Sequence, residues 1–185
     1  MSSMTWPDHL LSLDEWAELS VEEDRHCELV EGVLLVSPRP SRLHQWAILS
    51  LAAELNTQLA DDLTALPESE VVITGGTAAT VRVPDILVTR LDLVDRGPAR
   101  LSASEVLLVV EILSPGSGST DRVLKAAEYA RAGIDSYWIV DLDATTVTVF
   151  ENTGGVYSTR SDGPTVQVTR PTSLHIDLPA LLTRR

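Results

Sequence analysis

Asp85, Glu111 and Lys125 are the side chains whose types and spacing could carry metal-assisted hydrolysis in this chain. Glu111 interrupts the apolar run VLLVVEIL, residues 106–113, with five apolar residues before it and two after. Burying an unpaired carboxylate costs several kcal/mol, so a core strand that carries one needs a partner for it. Asp85, directly after Pro84, starts a second extended segment, ILVTR. If the two strands are neighbours, both carboxylates point at one spot from rigid elements. Two or three oxygen ligands with open water positions suit Mg²⁺ or Mn²⁺.

The basic residues sharpen this reading. Of 14, 13 are arginines and one, Lys125, is lysine. Where arginine serves for almost every positive charge, the retained lysine marks a place arginine does not suit. A compact ammonium polarises a water or steadies a phosphate oxygen in a way a planar guanidinium fork does not. Lys125 follows Glu111 on the helix entered through SPGSGST, a loop long enough to fold that helix back across the strand end.

Plainer roles compete with these. Glu111 would pair structurally with an arginine such as Arg82; Asp85 would cap the turn after Pro84; Lys125 would pair with Asp121 along its own helix. A local polar contact for His44, in the first turn of a long helix, stands ahead of catalysis. Ser114 reads as a loop cap ahead of a carboxylate partner, Glu31 as turn chemistry, and Tyr129, Tyr137 and Trp138 as core. His9, His26 and His175 lack metal-ligand spacing, and Gly116 and Gly118 are not followed by the lysine of a phosphate loop.

These side chains need elements to hold them. Ser12 with Glu15 predicts a capping box opening a short helix over about 12–23. CELVEGVLLVS, 27–37, reads as two strands around Gly32. Ser41 caps a helix over about 41–60 with an apolar face of Leu43, Ala47, Ile48, Leu51, Ala52, Leu55 and Leu59. Strands are expected near 70–74, 78–83 and 85–90, then a polar loop over 91–104, then the buried strand 105–113. Ser119 or Thr120 caps a helix over about 121–132, closed by Gly133. SYWIVD, TVTVFE and VYSTR are further strands, the last two joined at Gly154-Gly155. The whole, 1–185, is expected to be one α/β domain, a mixed sheet flanked by helices, with an acidic helical segment at 1–25.

Composition sets the bounds. The 185 residues are 44% hydrophobic, enough for a real core. Apolar runs fall well short of the roughly 18 residues of a membrane span. MSSMTWPDHLLSLDEW lacks the basic start and apolar core of a signal peptide, and Cys27 is the lone cysteine, so a cytoplasmic protein is expected. The net charge of −13 argues against tight, nonspecific nucleic-acid binding. Residues 1–31, however, hold nine acids against Arg25 alone, a net −8, so most of the excess sits at one end and leaves room for a local basic groove.

In sequence order, VPD, VVEILSP, D-x-x-x-K and Y-x-x-x-G-I-x-x-YWIVD resemble the Uma-two-type family of putative restriction endonucleases, within the PD-(D/E)XK nuclease superfamily. CELVEG and SPRPSRLHQ resemble that family's E-L-x-x-G and S-P-x-x-x-x-H segments, so the likeness spans about 10–180. The resemblance implies a restriction-endonuclease-like core and Mg²⁺- or Mn²⁺-dependent hydrolysis of phosphodiester bonds in DNA. Carried over, Asp85 and Glu111 are catalytic metal ligands, Lys125 the catalytic lysine, and Glu28 an N-terminal acid that completes the metal site. The expected E-x-K reads Glu111-Ile112-Leu113, so the lysine is displaced to the next helix. If Lys125 does not reach the site, the alternative is an inactive nuclease-fold module that binds DNA or a protein. A homodimer is expected by analogy with nucleases that cut two strands.

Overall fold

Local chemistry at the N-terminal end of the computed structural model shows how the elements begin; the structure describes residues 7–19, 26–113 and 119–183, the side chains of 119–122 excepted. The Ser12 hydroxyl accepts the Glu15 N–H at 3.2 Å while the Glu15 carboxylate accepts the Ser12 N–H at 2.8 Å. That capping box opens α1 (Leu13–Glu18). β1 (His26–Val30) and β2 (Val33–Ser37) form an antiparallel hairpin. Gly32 turns it at φ +79°, and a Cβ there would meet that of Leu10 at 2.7 Å, so only glycine fits. Ser41 caps α2 (Arg42–Gln58). Its inward stripe is His44, Ala47, Ile48, Leu51, Ala52 and Leu55. Leu43, expected on that face, is 52% exposed because the stripe begins one step round the helix, at His44.

The remaining elements are β3 (Leu63–Pro67), β4 (Val71–Thr74), β5 (Thr80–Arg82), β6 (Ile86–Arg90), α3 (Leu91–Arg96), β7 (Leu101–Ser102), β8 (Val106–Leu113), α4 (Ser119–Arg131), β9 (Ser136–Asp141), β10 (Thr146–Thr153), β11 (Val156–Gly163), β12 (Thr165–Val168), β13 (Leu174–Asp177) and α5 (Leu178–Thr183). They build a five-stranded sheet ordered β2-β1-β5-β4-β7, a six-stranded sheet ordered β11-β10-β9-β8-β6-β3, and the pair β12-β13. In the six-stranded sheet β8 and β9 run parallel and the other pairings antiparallel, so it is mixed as expected.

Two layers cover this sheet. Leu108, Val110 and Ile112 of β8 join Leu51 and Leu55 of α2 in one core, while Val109 joins Tyr129 and Ile134 in the other. A strand buried on both faces reads as a continuous apolar run, which is why β8 shows no alternation. A third, smaller core under β1 gathers Leu11, Trp16, Leu29 and Val81.

Three segments depart from the sequence reading. The expected polar loop 91–104 holds α3 and β7, because Leu93 and Leu101 turn inward and β7 extends the edge of the five-stranded sheet beside β4. LTALP, not recognised as a strand, becomes edge strand β3 through its pairing with β6. The chain after β11 adds β12, β13 and α5, which close over the α2 face. Gly133, at φ +87°, ends α4 as expected. The SPGSG residues and any cap they give α4 lie outside the described residues.

Candidate functional site

The register of β6 on β8 brings the acids together. Ile86 pairs with Val110, so Asp85, one residue before β6, falls opposite Glu111. Pro84 holds the approach extended, since the residue before a proline is pushed out of the helical region. The Asp85 carboxylate is fixed twice: Oδ2 accepts the Ile112 N–H at 2.6 Å, and Oδ1 lies 2.8 Å from His44 Nε2. A carboxylate partner makes that nitrogen the donor. Asp85 Oδ2 therefore takes a backbone donor of the strand that carries Glu111.

Glu111 points to the α4 side of the sheet. Lys125 Nζ donates to Oε1 and Oε2, each at 3.0 Å, and the Tyr129 hydroxyl donates to Oε1 at 2.8 Å. Lys125 and Tyr129 are four apart on α4 and so share a face. The same ammonium lies 3.2 Å from Glu28 Oε1 on β1. Glu28 Oε1 also accepts the Val83 N–H at 3.1 Å, and its Oε2 accepts from Arg82 Nη1 at 2.9 Å. Arg82 then forks onto Glu128 of α4 at 2.8 and 2.9 Å. All of these side chains are buried or nearly so, with 14% of the Glu111 side chain and 17% of Lys125 exposed.

Their electrostatics differ. Burial raises Glu111, Asp85 and Glu28 add to the rise, and Lys125 only partly opposes it, so its pKa stands at about 7. Burial acts the same way on Glu28, yet Lys125 and Arg82 overcome it and hold that carboxyl below its ordinary range. Burial would lower Lys125, but Glu111 and Glu28 more than offset it, and the amine stays charged. Burial lowers His44, but Asp85, with Glu111 and Glu68, more than offsets it and leaves the imidazole raised.

The pair that could hold a divalent cation is Asp85 with Glu111. Among the described residues no group of three or more His, Cys, Asp or Glu side chains is placed for metal ligation. Mg²⁺ nevertheless needs only one or two carboxylates, since it keeps several of its waters. Three carboxylates here (Glu28, Glu111 and Glu128) face two permanent cations, Arg82 and Lys125, while Asp85 faces His44. Hard oxygen donors and a deficit of positive charge both fit such an ion.

The sequence-predicted residues Glu111, Lys125 and Glu28 thus form one connected cluster, and Asp85, held by His44 and the Ile112 N–H, stands beside Glu111 on the neighbouring strand. Arg82 is present too, paired with Glu28 and Glu128 rather than with Glu111. His44 reaches across to Asp85, 41 residues away, while its backbone N–H makes a local contact with the Ser41 hydroxyl. Tyr129 is core, as expected, but spends its hydroxyl on Glu111. Glu128 was missed, although its spacing of three from Lys125 put it on the same helix face. Glu31 lies at the hairpin turn with φ 48°. Ser114 and the side chain of Asp121 lie outside the described residues.

The crystal structure of a putative nuclease from Anabaena variabilis, of the domain family of unknown function DUF820, superposes with a TM-score of 0.73. The alignment covers 94% of this chain and 98% of that one at 23% identity, a likeness of fold. No curated protein matches the sequence. Residues 11–180 match the Uma2 family, described as "Putative restriction endonuclease", and the chain belongs to that family.

Proposed function

We propose that this chain is a Mg²⁺- or Mn²⁺-dependent endonuclease that hydrolyses phosphodiester bonds in DNA. The observation that carries the reading is the placement of Lys125, whose ammonium touches both oxygens of Glu111 from the next helix. The displaced lysine reaches the carboxylate that an E-x-K motif would have served from the same strand.

Asp85 and Glu111 would hold the metal, with Glu28 behind them. A bound divalent ion lowers the pKa of its water and screens the scissile phosphate. His44 and the Ile112 N–H keep the Asp85 carboxylate in one orientation, which preorganises the site. Lys125 holds a positive charge beside Glu111, where it can orient the attacking water or stabilise charge gathering on phosphorus. Two copies acting together would cut both strands of a duplex, and the cytoplasm is the compartment where such an enzyme meets DNA.

The test is cleavage of supercoiled plasmid, linear duplex and single-stranded DNA with Mg²⁺, Mn²⁺ or EDTA. Metal-dependent cutting that is lost in Asp85→Asn supports the proposal. A folded protein that cuts none of the three with either metal would leave only the binding-module alternative.

A further inference from the structure

Glu28 sits mid-strand in β1, flanked by Cys27 and Leu29, which face the small core. A carboxylate so placed must be met by donors, and three meet it: Arg82 Nη1 on Oε2, the Val83 N–H and the Lys125 ammonium on Oε1. Both oxygens are engaged, and Oε1 twice. Resting on the nuclease reading above, we infer that Glu28 is a positioning residue that holds Lys125, and not a ligand of the metal.

The reason lies in what surrounds the lysine. An ammonium has three N–H donors. Two of them meet the Glu111 oxygens at 3.0 Å each, and the charged head also lies 3.2 Å from Glu28 Oε1 as an ion pair. Lysine's four-carbon stem turns freely unless its head is held, and Glu111 alone would leave it hinged about one carboxylate. Glu28 supplies the second point, from a different sheet.

Arg82 makes that point rigid. Its fork onto Glu128 ties α4 to β5, and its third contact fixes Glu28. Glu128 and Lys125 are three residues apart on one helix face. Helix α4 is therefore fastened to the five-stranded sheet at two points within a turn of each other, Glu128 through Arg82 and Lys125 through Glu28. A metal taking Glu28 Oε1 would have to displace either a backbone donor or the ammonium it is meant to work beside.

The test uses the chain's single lysine. Labelling the full chain with ¹⁵N-lysine gives one ammonium resonance, that of Lys125, visible when burial and its two carboxylate partners slow its hydrogen exchange. Glu28→Gln is isosteric and still accepts the Val83 N–H; it should shift that resonance, speed its exchange and lower cleavage at saturating Mn²⁺. Glu28→Asp keeps the charge and leaves Lys125 in place but draws the carboxylate back by a methylene, so the field at Asp85 and Glu111 changes little. Its Mn²⁺ dissociation constant, measured by calorimetry with the metal alone, should stay within about threefold of wild type. A loss of about tenfold or more would make Glu28 a ligand and overturn the inference, as would an ammonium signal unmoved by Glu28→Gln. If Glu28→Gln does not fold, the resonance should move in the same way in Glu28→Asp. Absence of wild-type cleavage would sink the nuclease reading alone, because the resonance still decides whether Glu28 holds Lys125.

Discussion

Lys125 Nζ stands 3.0 Å from each oxygen of Glu111, a residue 14 positions earlier on the neighbouring strand. That contact accounts for a charge placed in an otherwise apolar strand. Breaking such a buried pair by removing one partner typically costs about 3–5 kcal/mol, because the other charge is left uncompensated. The pair does not neutralise the cluster, however, since Asp85 and Glu28 stand close enough to raise Glu111 further. A surplus of negative charge beside a held lysine is stable as a metal site and costly as plain structure.

Asp85→Asn separates those two roles. The substitution removes one of the like charges but keeps an acceptor for the Ile112 N–H and a polar group for His44. The metal-free variant should be as stable as wild type or more so, within about 1 kcal/mol in urea unfolding, while any cleavage is abolished. A loss of several kcal/mol would identify Asp85 as a structural residue.

Metal should stabilise the fold through the same pair. A ligand that binds only the folded state contributes RT ln(1 + [L]/Kd), about 2.7 kcal/mol at a hundredfold excess. Mg²⁺ or Mn²⁺ at about 10 mM, that excess if Kd is about 0.1 mM, should raise the melting temperature. Glu111→Gln should abolish the response. Superimposable melting curves in metal and in EDTA would remove the case for a dedicated site.

The pH dependence of the metal-free protein should carry the signature of Glu111. Its folded pKa of about 7 lies above the 4.5 of an ordinary glutamate. Between those values the folded state binds more protons than the unfolded chain, so stability falls as pH rises. His44, raised above 6.5, contributes stability that is complete below 6.5 and is lost as pH rises through its folded value. Glu28 acts oppositely: its contribution is present above 4.5 and lost as pH falls through its lowered value. Urea unfolding without metal from about pH 5 to about pH 8 should therefore show declining stability. Glu111→Gln should flatten the part below 7, and saturating Mg²⁺ should flatten it too, because a bound cation keeps Glu111 ionised. A stability that climbs across this range in the metal-free protein would contradict the raised Glu111.

The parts of the site legible in the sequence were those that broke a local pattern. Glu111 stood out in an apolar run and Lys125 as the sole lysine. Asp85 followed from its position after Pro84 at a strand start. His44 broke no pattern on its own, yet it falls in step with Ala47, Ile48 and Leu51, and a polar residue on a buried stripe is a signal of the same kind. Glu128 and Tyr129 could have been placed by counting three and four from Lys125. Arg82 could not, because its partners lie on β1 and α4 and no local spacing encodes how the five-stranded sheet meets that helix. The same holds for β3, whose five residues become a strand only through β6.

Lys125→Arg tests whether charge or shape matters at the centre of the cluster. Arginine keeps the positive charge and has good helix propensity, so a lysine serving only as an ion-pair partner would be replaced with little loss. The space available is small: only 17% of the Lys125 side chain is exposed, and its head fits between Glu28 and Glu111. A guanidinium is wider and planar, and would push the metal-bound water from its place; small displacements cost about 10²-fold in rate. The variant should fold, with a stability loss of about 1–3 kcal/mol from overpacking, and keep the metal-induced melting shift, since Asp85 and Glu111 are untouched. It should lose most of its cleavage activity. Wild-type activity is measured first, on several DNA forms with both metals, and the variant is then compared at saturating metal. Equal cleavage by Lys125→Arg would show that positive charge alone suffices there, and that Lys125 is not the displaced catalytic lysine.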